Sequence, residues 1–364
     1  MTKQAFIHEL KTALEHAPIE VREEIVSDIH EHFHAGATQG HSEEDICRNL
    51  GQPGSIAAQV MEEWKNSAHA NNAAYAQNSN GTRPQKDNDY SVSSSDKHNI
   101  SIDKTFTDVS SVDVGFVNAE IHFTQSPNDL FRVVIQGHSK RIHFVVDNYH
   151  GKLDIKSKEP LFMFGIFKAL NKLNATIYVP AQFMGEIKAV STTGDITAGN
   201  ISGNLKFETT AGNIIVDNHQ GNKIKLSSTA GNLRLLLMNG YTEMVKMSTT
   251  AGYATLTAEE IGILKLETAA GTIDANVIKL GEKTKLSSSA GPINLTANEV
   301  AGNINASTAA GSIKIQLPKY VNCRIKVRKP DLGSLRNELV GNDGSPFVLK
   351  ASTSVGSIEL LATD

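Results

Sequence analysis

The sequence predicts a mainly β protein, a β-solenoid preceded by a small helical head, on three observations. A motif of the form [ST]-x-A-G-x-[IL] recurs eight times between residues 191 and 358. Apolar residues alternate around every copy, as half-buried strands require. Helical periodicity is confined to the first 65 residues.

The head comes first. Phe6, Ile7, Leu10 and Leu14 fall at helical spacing, Pro18 opens a second segment, and Ile25, Val26, Ile29 and Phe33 continue the stripe. Gly36 is expected to end that helix. Ser42 followed by Asp45 resembles a capping box ahead of Ile46 and Leu50; Gly51 and Pro53 stop one helix and start another carrying Ile56, Val60 and Trp64. The expectation is a bundle of about four helices over residues 1–65. It holds five basic and twelve acidic residues, a net −7.

Residues 66–99 are dominated by Asn, Ser, Ala and Gln with almost nothing to bury, and read as a flexible polar linker.

From residue 100 to 364 β-patterning takes over, first in Val112, Val114, Phe116, Ile121 and Phe123. The motif glycines are Gly194, Gly212, Gly231, Gly252, Gly271, Gly291, Gly311 and Gly356. The six steps from 194 to 311 average 19.5 residues, and the last step is 45. Two and four residues after each glycine stand apolar residues such as Ile196 and Ala198 or Ile293 and Leu295, and five before it Ala189, Phe207, Leu226 and their counterparts. Three before it is always Ser or Thr. Small residues recurring in register suit a tight corner, where glycine reaches angles that other residues resist. A period near 20 without a helical half-repeat argues for a β-solenoid. A leucine-rich repeat would show L-x-x-L-x-L and its Asn, and a sandwich would not keep one motif in register eight times. About nine rungs at ~4.8 Å would make a rod of roughly 40 Å. The 45-residue step holds one extra rung plus the insertion RKPDLGSLRNELVGNDGSP near the C-terminal end.

Composition bounds the function. Lys+Arg 35 against Asp+Glu 39 gives a charge of −4, which disfavours a nucleic-acid binder. Cys47 and Cys323 form neither a disulfide framework nor a CxxC site. The N-terminus lacks an apolar h-region, and the longest apolar run, LFMFGIF, has seven residues where a span needs about 20. The expectation is a cytoplasmic protein, at most peripheral to a membrane.

The glycine ladder, with VDVGFVNAEIHF before it and IKIQLP within it, resembles the bacterial adhesin-like family of unknown function over residues 100–364. The resemblance implies a right-handed parallel β-solenoid preceded by a β-rich segment. The head, with DIHEHF, SEEDI and the LGQPG turn, resembles the HAAS signalling domain. That likeness implies a regulatory partner, since such heads often accompany PadR-type transcriptional regulators. They also usually precede membrane spans, and here the polar linker stands in that place.

Six residues before the glycines stand Lys188, Lys206, Lys225, Lys246, Lys265 and Lys285, then Asn305 and later Lys350. In register they form one outward stripe, a candidate site for anionic surfaces or polymers, each contact salt-dependent. The plainer reading is a solvated face whose lysines discourage sheet-to-sheet aggregation. No aromatic platform accompanies the stripe, so nucleic-acid bases are not expected targets. A carbohydrate-active enzyme would need converging carboxylates, but Glu208 and Glu267 stand three rungs apart, roughly 14 Å, and Asp195 and Asp274 occupy different positions in distant rungs. No catalytic residue, metal or cofactor is assigned. Asp28, His30, Glu31, His32 and His34 invite a metal reading but lack H-E-x-x-H spacing and a third ligand; a polar helix face explains them. Phe162, Phe164 and Phe167 in EPLFMFGIFKALNKLN would mark a membrane or partner contact if exposed, and a cap over the open first rung if buried, the reading favoured here.

The function expected is therefore a non-enzymatic scaffold: a head that docks a signalling partner and a rigid solenoid surface, with self-association through the solenoid ends as a further partner class. The alternative is a cell-surface adhesin or end-to-end polymer.

Overall fold

The computed structural model describes residues 1–38, 40–58, 60–61, 99–138, 143–158, 173–237 and 240–363. Helices and strands fall into two units, each with its own core.

In the helical unit, α1 (Lys3–Ala13) starts where the Thr2 hydroxyl accepts the Ala5 N–H at 3.3 Å. Its buried face, Phe6, Leu10 and then Leu14, shares a core with Ile25, Ile29 and Phe33 of α2 (Ile19–Thr38). The Phe6 and Phe33 rings meet edge-on at 5.9 Å. At α3 (Glu43–Leu50), the Ser42 hydroxyl accepts the Asp45 N–H at 3.2 Å and donates to the Asp45 carboxylate at 2.6 Å. Residues 53–58 and 60–61 are also helical and bury Ile56 and Val60. The expectation for Gly36 is corrected: α2 runs through it to Thr38. A Cβ at Gly36 would lie 2.7 Å from Ile46 side-chain atoms, so the glycine lets α3 approach rather than stopping α2.

The strand unit begins with β1 (Asn99–Phe106), β2 (Ser111–Gln125), β3 (Phe131–His138), β4 (His143–Tyr149), β5 (Lys152–Lys158) and β6 (Leu173–Val179). Strands that lead into a motif glycine follow as β7 (Glu186–Thr193), β9 (Asn204–Ala211), β11 (Lys223–Ala230), β13 (Tyr241–Ala251) and β17 (Asn303–Ala310). Those that leave one are β8 (Ile196–Gly199), β10 (Ile214–Asp217), β12 (Leu233–Leu236), β16 (Ile293–Val300) and β18 (Ile313–Pro318), while β14 (Ala254–Ala270) and β15 (Ile273–Ala290) are long enough to do both. The chain closes with β19 (Arg324–Val327), β20 (Leu335–Asn337), β21 (Val348–Val355) and β22 (Ile358–Thr363).

The fold is mainly β and solenoid-like, and its sheet is mixed. Pairing is parallel through the repeat, each strand facing its counterpart one motif away, as in Leu226↔Met247 and Leu266↔Leu286. Three pairs at the beginning, β1–β3, β3–β6 and β4–β5, are antiparallel. The alternation read from the sequence is the inside-outside alternation of the structure: the apolar positions flanking each glycine fill one continuous core.

Chain order and spatial order part company at both ends. β2 lies between β5/β6 on one side and β7/β8 on the other. At the far end β21 pairs with both β17 and β19, and β22 with both β18 and β20. The extra rung and insertion within the 45-residue step therefore form the outermost layer, and the Gly356 turn is slotted beneath them.

The glycine corners are close-packed. A Cβ on Gly271 would stand 1.9 Å from the Gly252 carbonyl oxygen, and φ there is 148°. At Gly212 and Gly231 φ lies outside the left-handed range, so close approach, and not the angle alone, demands glycine in this ladder. The Ser or Thr three residues earlier, buried at every corner but that of Thr353, donates to the preceding corner's glycine carbonyl at 2.9–3.5 Å, from Thr209 to Gly194 through Thr353 to Gly311. A Gly271→Ala substitution is expected to cost more than about 2 kcal/mol. Gly199→Ala, with nothing within 4 Å of its Cβ, is expected to change stability by less than about 0.5 kcal/mol. Urea unfolding of both variants checks the difference.

His219, 1% exposed, bonds the Gly203 carbonyl through Nε2 at 2.9 Å. Burial depresses its pKa from 6.5 to about 4, against the raising effect of the Gly203 and Ile201 carbonyls. The unfolded chain thus binds the proton more readily. The stability this group contributes is complete above pH 6.5 and lost as pH falls towards 4, by about 3 kcal/mol. Unfolding midpoints across that window are expected to slope downward, and His219→Gln is expected to flatten the slope.

Candidate functional site

The six lysines occupy one register position: Lys188↔Lys206, Lys206↔Lys225, Lys225↔Lys246, Lys246↔Lys265 and Lys265↔Lys285 are successive partners, followed by Asn305, Lys350 and Lys326. The strands impose this, because the lysine lies between two core positions and must point outward. Five of the six have side chains 34–45% exposed, stems against the sheet and ammonium groups reachable.

Like charges one strand apart need compensation, and it comes from the parallel column two residues on. Glu208 lies 3.6 Å from Lys206 and 3.4 Å from Lys225. Glu267 lies 2.8 Å from Lys265 and 2.9 Å from Lys285. Burial works to raise the Glu267 carboxyl, but its bonds to Lys265 and Lys285 prevail and hold it below the usual range. Between the two glutamates the column carries Ser227 and Ser248, and Lys246 has no ion pair among the described residues. The sequence identified Glu208 and Glu267 as candidate acids and rejected them; they are counter-ions that each serve two lysines.

The column changes sign at its beginning. Asp147, Asp154 and Asp113 occupy the register position ahead of Lys188. Lys152 and Lys156 bridge Asp113 and Asp154 at 3.0–3.3 Å, and Lys188 stands 3.8 Å from Asp113. Burial would raise the Asp113 carboxyl, yet these lysines keep it low. The acidic end is thus already neutralised from within.

Sequence reasoning missed two features. A second glycine ladder, including Gly185, Gly203, Gly221, Gly281 and Gly302, stacks at the other end of the lysine strands; a Cβ on Gly302 would stand 2.0 Å from the Gly281 carbonyl oxygen. Its signal was a glycine three or four residues before five of the six column lysines and before Asn305, with Lys246 the exception. Gly333 is the last member of the first ladder, against the Gly356 carbonyl. It escaped notice because Leu332 and Pro330 replace the usual Ala and Ser or Thr.

Among the head residues considered for a metal, His30 and His34 are exposed and His32 is buried. Burial, then Lys3 and Lys11, push the His30 pKa down, and burial does the same for His32. No three His, Cys, Asp or Glu among the described residues are placed to hold an ion. Phe162, Phe164 and Phe167 lie outside the described residues. No described helix is long and apolar enough to cross a membrane.

Residues 109–332, more than half of the chain, match the family described as Toastrack DUF4097. The chain belongs to that family. Residues 5–59 of this Toastrack protein match HAAS. Among solved structures it is similar to a candidate adhesin from Bacteroides fragilis, at 15% identity and TM-score 0.37, over 77% of this chain and 100% of that one. A candidate adhesin from Parabacteroides merdae is similar at 10% identity and TM-score 0.29, over 74% and 98%. A candidate cell adhesion protein from Clostridium sporogenes matches at 12% and 0.25, over 72% and 100%. No curated protein matches.

If Glu267 serves as the shared counter-ion, its NMR titration midpoint is expected below the ordinary 4.5, and replacing Lys265 and Lys285 with Ser should move it upward. An unshifted midpoint in the parent protein would contradict the pairing.

Proposed function

We propose that this Toastrack protein is a non-enzymatic binding scaffold, in which the helical head (1–65) docks a regulatory protein, residues 66–99 link it, and residues 100–364 present a rigid surface to an anionic polymer or membrane. In this reading the strands wind as a right-handed solenoid, about nine rungs spanning residues 185 to 360. The observation that carries the proposal is the register of the lysine column: six ammonium groups stand on one face and five of them share Glu208, Glu267 and Asp113, leaving a net positive line. A polyanion laid along that line would replace shared protein carboxylates by its own and release counter-ions, so its binding weakens with salt. Among the described residues the acids paired across adjacent strands in this column are Asp113, Asp154 and Asp147, and Lys152 and Lys156 hold Asp113 and Asp154 in ion pairs rather than leaving them as an acid/base pair for hydrolysis. A regulatory role for the head rests on its match to HAAS.

Cosedimentation with phosphatidylglycerol vesicles and pull-down on dextran sulfate test the surface. At low salt the parent protein is expected to bind. Replacing Lys225, Lys246 and Lys265 with Ser should weaken binding at least tenfold, since each lysine near an anionic surface contributes about 1 kcal/mol. Binding that survives both the triple substitution and high salt would overturn the reading.

A further inference from the structure

The lysine column loses its counter-ions where it reaches the C-terminal end of the strand unit. Beyond Lys285 the neighbouring column holds Ser287, Ser307 and Ser352 in place of glutamate. Lys350 and Lys326 are register partners there. The outermost layer adds Arg324, Arg328 and Lys329. Among the described residues the one ion pair within this group is Arg328–Asp331, at 3.3 Å and with both side chains at least 75% exposed. Five cations thus answer to one carboxylate, whereas along the middle of the column each glutamate serves two lysines.

At this place the surface is concave. A cavity of about 210 Å³ is lined by Thr308, Arg328, Lys329, Asp331, Ser352, Thr353 and Ser354. That volume is about seven waters' worth, enough for a tetrahedral oxyanion and part of the group bearing it. The hydroxyls divide by role. Thr308 donates to the Gly291 carbonyl and Thr353 to that of Gly311, at 3.2 and 3.0 Å, so both belong to the floor. Ser352 and Ser354 are exposed and make no side-chain hydrogen bond among the described residues, leaving their protons for a ligand. Arg328 brings a planar fork suited to two oxygens of one anion, and Lys329 a point charge. Asp331 orients the guanidinium and lowers the net charge of the lining to one positive.

We infer that this cavity binds a phosphate ester, as a free phosphomonoester or a lipid headgroup. The site is separate from the lysine stripe between Lys188 and Lys285 and stands or falls without it. It exists because the insertion folds outside the Gly356 turn, which sets Arg328 and Lys329 beside Ser352 and Ser354.

The test is amide NMR of the full chain titrated with glycerol phosphate at constant ionic strength, with sodium chloride as the control. Saturable shifts are expected at residues 308, 328, 329 and 352–354. The R328S/K329S variant should weaken the affinity at least tenfold, while the variant with Lys225, Lys246 and Lys265 replaced by Ser should retain it. Both altered side chains in the first variant are exposed, and an unchanged melting temperature verifies its fold. In a second arm, phosphatidic acid vesicles are compared with phosphatidylcholine. Capture by the former that depends on Arg328 and Lys329 assigns the phosphate to a lipid; saturation by glycerol phosphate alone assigns it to a soluble ester. Shifts shared equally by chloride, or phosphate affinity unchanged in R328S/K329S, overturn the proposal. Loss of phosphate binding only in the lysine-stripe variant would overturn it and favour the stripe.

Discussion

The strand unit rests on the carbonyl oxygen of each corner glycine. One side of that oxygen touches the α-carbon of the next glycine in the ladder, so closely that a methyl group could not enter, and another side accepts the buried Ser or Thr hydroxyl of the following turn. The first contact fixes the separation between turns. The second satisfies a polar group at the corner and explains why position −3 is a hydroxyl residue in all eight copies of the motif. Together they lock the register, since a one-residue slip would bury the lysines and expose the core.

Everything on the surface inherits that register. Lysines fall into a column because their strands cannot slide, and a glutamate needed only every third strand can bridge two of them. Exposed pairs of this kind contribute little stability one at a time; their effect is to set where charge stays uncompensated. The acidic beginning of the column is closed by Lys152 and Lys156. Lys246 in the middle and the basic group at the far end remain open, and the far end alone joins its charge to a cavity.

The two ends of the strand unit share a device. At each, a strand that comes early or late in the chain is inserted between neighbours that are not adjacent to it in sequence, β2 at one end and β21 with β22 at the other. Long-range pairs of this sort tie the ends to the repeat. The outermost strand β19 carries Arg324 and Lys326, charges that oppose uncontrolled pairing along an open edge.

The sequence by itself determined the helical head, the repeat, its corner glycines, the inward positions and the single lysine column, because these follow from periods that local chemistry writes directly: 3.6 in a helix, 2 in a strand, about 20 in the repeat. It also exposed Glu208 and Glu267 as widely spaced in register. Only the tertiary structure decided what distance across the chain decides. Gly36 makes room for Ile46 from another helix, and Gly333 follows Gly356 in space though it precedes it in sequence. The glutamates prove to be counter-ions, and Arg328 meets Ser352 because an insertion with no repeat signature folds over the last turn. Periodicity reports which face a residue shows, but not which distant residue it will meet there.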